Sequence, residues 1–272
     1  MTAAHSLIIL DTTMKNNSQF HLNGIVIKEQ AHGEQGKLLT VLTEYNGVIT
    51  FNEKNARKIS AGYLKSTQQF AYSNMLLYNK NGYYTLLEAE LNNDFYALRE
   101  NIDTFAFAAY CCETVAAVTT VGEDGKTLLS FLLNTLFICT KNVIPISQQK
   151  AIFEFRLAVL CGFLPELEYC QFCGEPLDTV SKRSFDLSEG AICCTACVNE
   201  EGGSPLEWLS VSDGCYKALR HIAFAKGAKL YAFRTDEGTM AEIGTITEKY
   251  LLPRLEKKIK SLDFFHSLQG KV

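Results

Sequence analysis

The sequence predicts an α+β protein: a small N-terminal antiparallel β-barrel, then an α-helical domain with a cysteine-rich module inserted in it. Three observations predict it. Residues 22–90 carry strand-length runs that mix β-branched and apolar residues with polar ones. After Asn92 the apolar period becomes helical. Between Glu166 and Ser204 large apolar residues thin out, while cysteines and glycines concentrate.

Residues 1–20 show no clear periodicity and read as an N-terminal extension; Met14, followed by Lys15-Asn16-Asn17, resembles a second translation start. Strands are expected at Leu22–Glu29, Lys37–Glu44 and Val48–Glu53, with the tight-turn dipeptide Asn46-Gly47 between the last two. Gln68–Tyr78 and Tyr83–Glu90 form a further pair through Asn79-Lys80-Asn81-Gly82. Five strands in about seventy residues leave no room for crossover helices, which suits a small closed barrel. The OB-fold is the commonest such barrel that binds nucleic acid, so residues 21–91 are read as an OB-fold barrel.

Residues 92–165 and 205–272 are read as the helical domain. Ile102, Phe105, Ala109, Cys112 and Ala116 lie along one helix face, and Leu128, Leu129, Leu132, Leu133, Leu136 and Phe137 form a stripe on the next. Gln148–Cys161 is apolar on most sides and belongs at the centre of a bundle, with Gly162 ending it and Pro165 preventing its resumption. Asp213 is the expected N-cap of a helix through Ala225. Thr245–Ser267 reads as a final helix carrying Leu251, Leu255, Ile259 and Leu262.

Residues 166–204 are read as a loop-built zinc module. Cys170-x2-Cys173 and, twenty residues on, Cys194-x2-Cys197 each place two thiolates on one tight turn, and two such knuckles close a tetrahedron around Zn²⁺. Four thiolates leave no open coordination position, so one structural ion is expected. Cys193-x3-Cys197 is the competing second knuckle, and Cys194 is favoured because its spacing repeats the first. Cys111, Cys112, Cys139, Cys161 and Cys215 fall in helical stretches and read as small core residues.

No catalytic constellation is found, and a non-enzyme is expected. His32-Gly33-Glu34-Gln35-Gly36-Lys37-Leu38 has its glycines too close for a phosphate loop and lacks the Ser/Thr, and the five histidines are scattered. No apolar run reaches a membrane span and no secretory signal is visible, so ten cysteines point to thiols and metal ligands in the cytosol. A net charge of −4 requires any DNA site to be a local patch. From His21 to Tyr84 there is one: Lys28, Lys37, Lys54, Arg57, Lys58, Lys65 and Lys80 against Glu29, Glu34, Glu44 and Glu53. Basic side chains on a barrel could track phosphates, with Phe51, Tyr63, Phe70 and Tyr72 the candidates for base stacking.

The order of these parts resembles the RecO family of bacterial recombination mediators. Gly24-Ile25-Val26-Ile27, then Gly33-Glu34 before Lys37-Leu38-Leu39-Thr40, is similar to that family's first strands. Asn46-Gly47 and Ala56-Arg57-Lys58 are similar to its turn and basic loop, and Phe153-Glu154 through Gly162-Phe163-Leu164-Pro165 to Cys170 resembles its central helix and first knuckle. Lys258-Ile259-Lys260-Ser261 resembles its last helix. The resemblance implies a protein of the bacterial cytoplasm and nucleoid that binds single- and double-stranded DNA and anneals complementary strands. It implies engagement of the C-terminal tail of the single-stranded-DNA-binding protein and, with RecR, help in loading RecA onto coated strands. By position it implies DNA contacts at Lys28, Lys37, Lys54, Arg57, Lys58 and Lys65, and zinc ligands at Cys170, Cys173, Cys194 and Cys197. The competing reading is a zinc-ribbon adaptor of transcription or translation that binds protein, with a metal-dependent hydrolase or nuclease behind it.

Overall fold

The computed structural model describes residues 18–34, 36–53, 64–120, 122, 124–201 and 208–270. The chain folds into two compact units: residues up to Asp94 with 119–129, and Phe95–Val118 with the chain from Ser130 onward.

The first unit is a closed five-stranded barrel of order β1-β2-β3-β5-β4, an OB-like arrangement. Its strands are β1 (Ser18–His32), β2 (Gly36–Thr43), β3 (Val48–Glu53), β4 (Tyr72–Lys80) and β5 (Tyr83–Asn93). Strict alternation on β4 buries Met75 and Leu77 while Leu76 and Tyr78 face outward. These inward residues join Leu22, Val26, Leu39, Val41, Ile49, Phe51 and Leu86 in one apolar core. Gly24 is required where β1 crosses β2, since a Cβ there would stand 2.4 Å from Val41 Cγ1 and 2.7 Å from the Leu42 carbonyl oxygen. β4 starts at Tyr72, four residues later than the sequence pattern suggests, because Lys65–Thr67 forms a 3₁₀ turn and Gln68–Ala71 a hydrogen-bonded turn instead.

The second unit carries the helices α1 (Ile102–Val118), the body of α2 (Lys126–Lys141), α3 (Ile146–Leu160), α4 (Thr195–Glu201), α5 (Asp213–Phe224), α6 (Glu237–Leu251) and α7 (Lys260–Gln269). α3 is central, packing against α1, α5 and α6, and is buried continuously from Gln148 to Phe155. The stripe Ile102, Phe105, Ala109, Cys112 and Ala116 does not define the buried side of α1. Ile102 is 56% exposed, while Phe107, Tyr110 and Cys111 on another face are fully buried. On α2, Phe137 likewise turns outward and Leu129, Leu132 and Leu136 turn in.

Three local expectations are corrected. The cap of α5 is Ser212, whose Oγ accepts the Cys215 amide, and Asp213 is the first helical residue. Thr245–Ser267 is not one helix: Pro253 sits in the 3₁₀ turn Leu252–Arg254 that ends α6, and α7 starts afresh at Lys260. The cysteine-rich module is not loop alone, because β6 (Arg183–Asp186), β7 (Ala191–Cys194) and β8 (Trp208–Val211) form an antiparallel sheet of order β7-β6-β8 within it. Among the described residues, no helix is long and apolar enough to cross a membrane.

Candidate metal centre and nucleic-acid face

Cys170 and Cys173 lie on a turn preceding β6, and Cys194 and Cys197 on the end of β7 and the first turn of α4. The first knuckle closes when the Gly174 amide donates to the Cys170 carbonyl at 2.8 Å and the Cys170 amide to the Glu175 carbonyl at 2.9 Å. Gly174 sits at φ +73°, a left-handed position that a side chain would strain. The four sulfurs all lie within 4.8 Å of one another. Cys194 Sγ is central, 3.7 Å from Cys170, 3.7 Å from Cys173 and 3.1 Å from Cys197. Cys193 is not part of this group, because alternation along β7 turns consecutive side chains to opposite faces and sends Cys193 into the core.

The electrostatics suit a cation. Burial opposes ionisation of Cys170, but the backbone amides of Cys173, Cys194 and Phe172 outweigh it and bring that thiol down to about 6. Cys197 is pushed up, chiefly by Cys194 beside it and by burial. Four sulfurs this close cannot all become thiolates unless a positive ion stands between them. The cluster can therefore hold a metal ion, and its four donors complete a tetrahedron.

The module is bolted to the helices. The Arg183 guanidinium, buried on β6, donates to the Leu177 carbonyl at 2.6 Å and stacks over Tyr216 of α5 at 4.3 Å. The Tyr216 hydroxyl donates to the Leu167 carbonyl, the Tyr250 hydroxyl of α6 to Phe163, and Arg254 to Leu187 and Ser188.

On the barrel, Lys28 is exposed on β1 and Lys65 is exposed on the 3₁₀ turn before β4. Lys37 on β2 is half-buried and ion-paired with Glu29 at 3.3 Å. Lys54, Arg57, Lys58 and Tyr63 lie outside the described residues. Two of the rings expected to stack on bases are core residues instead: Phe51 is 1% exposed on the inward side of β3, and Phe70 is fully buried. Tyr72 is half-buried at the start of β4. An exposed aromatic of this unit that the sequence pattern does not single out is Tyr83, 81% exposed beside a surface groove of about 860 Å³. Its sequence signal is a tyrosine pair directly after the Asn81-Gly82 turn. The helical unit has a pocket of about 600 Å³ between α3, α6 and α7, where Lys150 and His266 are both matched by Glu248.

Comparison with known proteins places the whole arrangement. The family model described as Recombination protein O N terminal matches residues 14–95, and the one described as Recombination protein O C terminal matches residues 99–263. The chain belongs to the RecO family. It is 28% identical over 246 residues to the DNA repair protein RecO of Acetivibrio thermocellus, covering 90% of this chain and 96% of that one. It is 25% identical over 250 residues to the RecO of Clostridium acetobutylicum, covering 92% and 98%, and 30% identical over 174 residues to that of Alkaliphilus metalliredigens, covering 64% and 70%. This RecO family member is thus a DNA repair protein built from a barrel, a helical domain and a four-cysteine cluster.

Proposed function

We propose that the protein is a non-enzymatic recombination mediator. It binds single- and double-stranded DNA through the barrel and anneals complementary strands. With RecR, it helps load RecA onto strands coated by single-stranded-DNA-binding protein, whose C-terminal tail it engages. Its place is the bacterial cytoplasm, at the nucleoid. The single observation that carries this reading is the consecutive match of both family models across the barrel and the helical unit. The net charge of −4 restricts DNA contact to a patch, and Lys28, Lys37, Lys54, Arg57, Lys58 and Lys65 are the proposed contacts.

The proposed ion at Cys170, Cys173, Cys194 and Cys197 is one Zn²⁺. Zinc–sulfur bonds of about 2.3 Å in a tetrahedron set the sulfurs about 3.8 Å apart, close to the two 3.7 Å separations seen here. When bound, zinc ties the two knuckles together and offers no position for water or substrate, so its role is structural. Arg183, Tyr216, Tyr250 and Arg254 pass that rigidity to α5 and α6.

The test is annealing of complementary oligonucleotides by the wild type and by the triple variant Lys54→Glu, Arg57→Glu, Lys58→Glu, with zinc content measured on both. Annealing by the wild type that collapses in the variant, with about one zinc in each, supports the reading. No annealing by the wild type even at low salt would sink it and favour a protein-binding adaptor.

A further inference from the structure

The barrel has one narrow seam. β3 and β5 run parallel and register a single pair, Asn52 with Thr85, whereas β1–β2, β2–β3 and β4–β5 are long antiparallel ladders. The groove of about 860 Å³ lies along this seam. Register decides which side chains line it. Tyr78 stands opposite Thr85, Lys80 opposite Tyr83, and Leu38 opposite Asn52. Alternate residues of a strand share a face, so these side chains line one outer surface.

That surface has the composition of a base-stacking site. Tyr83 projects into solvent, and the hairpin carrying it is anchored because Tyr84 packs edge-on against Phe20 with centroids 5.8 Å apart. Lys80 and His32 supply the charged and ionisable groups of the groove lining, which includes no carboxylate. Asn52 contributes an amide whose Oδ1 has no hydrogen-bond partner among the described residues, an acceptor that the exocyclic amine of a base would satisfy. The pocket of the helical unit differs, since Glu237 and Glu248 line it.

We propose that this seam groove binds the unstacked bases of single-stranded nucleic acid, with Tyr78 and Tyr83 as stacking platforms and Lys80 on the backbone. The inference rests on the DNA-binding reading above and deepens it. Rings reached from a groove need bases that a duplex keeps stacked, so the site selects single strands. Charge sets the direction of the strand. Past Leu87, β5 presents exposed Glu88 and Glu90. In the other direction Thr50, Thr40 and Lys28 form one cross-strand row, with the two hydroxyls 3.3 Å apart. The strand therefore runs from Lys80 across β3 and β2 toward Lys28.

The experiment is fluorescence anisotropy on the full chain with three probes: an oligothymidylate, an abasic strand of the same length, and a duplex. The variants are Tyr78→Ala with Tyr83→Ala, and Tyr78→Phe with Tyr83→Phe. The alanine pair is expected to bind oligothymidylate about tenfold or more weakly, with abasic-strand and duplex affinities within about twofold of wild type. The phenylalanine pair keeps its affinity, because the ring face does the stacking. Unchanged oligothymidylate binding by the alanine pair overturns the proposal, as does an equal loss on all three probes. A wild type that binds none of the probes at low salt sinks the DNA-binding reading itself, a result distinct from either.

Discussion

Lys150 and Glu154, one turn apart on α3, are held at 2.6 Å inside the helical unit, and the carboxylate has no solvent exposure. Glu154 also accepts from the Tyr110 hydroxyl of α1 at 2.7 Å and from Thr247 of α6 at 2.9 Å. Lys150 reaches Glu248 of α6 at 2.6 Å, and Glu248 meets His266 of α7 at 3.0 Å. Burial pushes the Glu154 carboxyl up against the pull of Lys150 and the two hydroxyls. Burial also works against the Lys150 charge, but Glu154 and Glu248 outweigh it and raise its value. One network thus specifies how four helices meet.

Breaking that network on one side should cost more than removing its charge. Lys150→Met leaves a buried carboxylate without its cation and is expected to destabilise by about 3–5 kcal/mol. Adding Glu154→Gln to Lys150→Met should recover part of the loss, since the amide can still accept from Tyr110 and Thr247. Urea unfolding of wild type, single and double variants decides it. A double variant as unstable as the sum of its single substitutions would show that the two groups do not act as a pair.

Legibility in the sequence followed how local each determinant is. The barrel strands were readable because β-branched alternation and Asn46-Gly47 act within a few residues, and the two Cys-x2-Cys turns for the same reason. The first residues of β1 were not, because Ser18–Phe20 become strand only by pairing with β4. The buried face of α1 was hidden by apolar residues on every side. Leu251, Leu255, Ile259 and Leu262 kept helical spacing across a break that only Pro253 announced, and all four are buried in the broken form as well. The start of α6 was missed although Asp236 caps it by accepting from the Thr239 amide. The seam groove depends on β3 meeting β5, which no local pattern encodes.

Glu53, fully buried at the end of β3, gives the barrel a pH dependence. Burial is the main cause of its raised value, with Thr67 and Lys37 opposing and Glu29 adding to it. A raised value means that the folded barrel binds the proton more tightly than the unfolded chain. Stability then falls as pH rises from the ordinary glutamate value of 4.5 to the folded value, and is level beyond it. Glu53→Gln should be the more stable protein at neutral pH, and the gap should close in acid. Thermal melts of both across that range provide the check; a gap that widens in acid would contradict it.

Lys28 and Lys37 are both proposed DNA contacts, but their surroundings differ. Lys28 is exposed, and Lys37 already lies against Glu29. Phosphate binding releases counterions in proportion to the charge neutralised, with about 0.9 unit of slope per contact on duplex DNA. Lys28→Gln should therefore lower the slope of log affinity against log salt by about one, and Lys37→Gln by distinctly less. Equal slopes for the two variants would show that DNA displaces Glu29 from Lys37.

Cys193 and Cys194 are adjacent in sequence and opposite in consequence. Alternation on β7 directs Cys194 Sγ to the other three sulfurs, while Cys193 is fully buried, its thiol pushed up to about 12 mainly by burial. Cys194→Ser removes the sulfur that lies nearest the other three, and a hydroxyl is a poor replacement for thiolate at a soft-metal site. That variant should lose its zinc and, with it, the order of the module that Arg183 and Tyr216 connect to α5. Cys193→Ala should keep about one zinc per chain and lose only the packing of a small buried side chain. Metal content by atomic emission, alongside thermal melts, separates the two. Zinc retained in Cys194→Ser but lost in Cys193→Ala would reverse the assignment and make Cys193-x3-Cys197 the second knuckle.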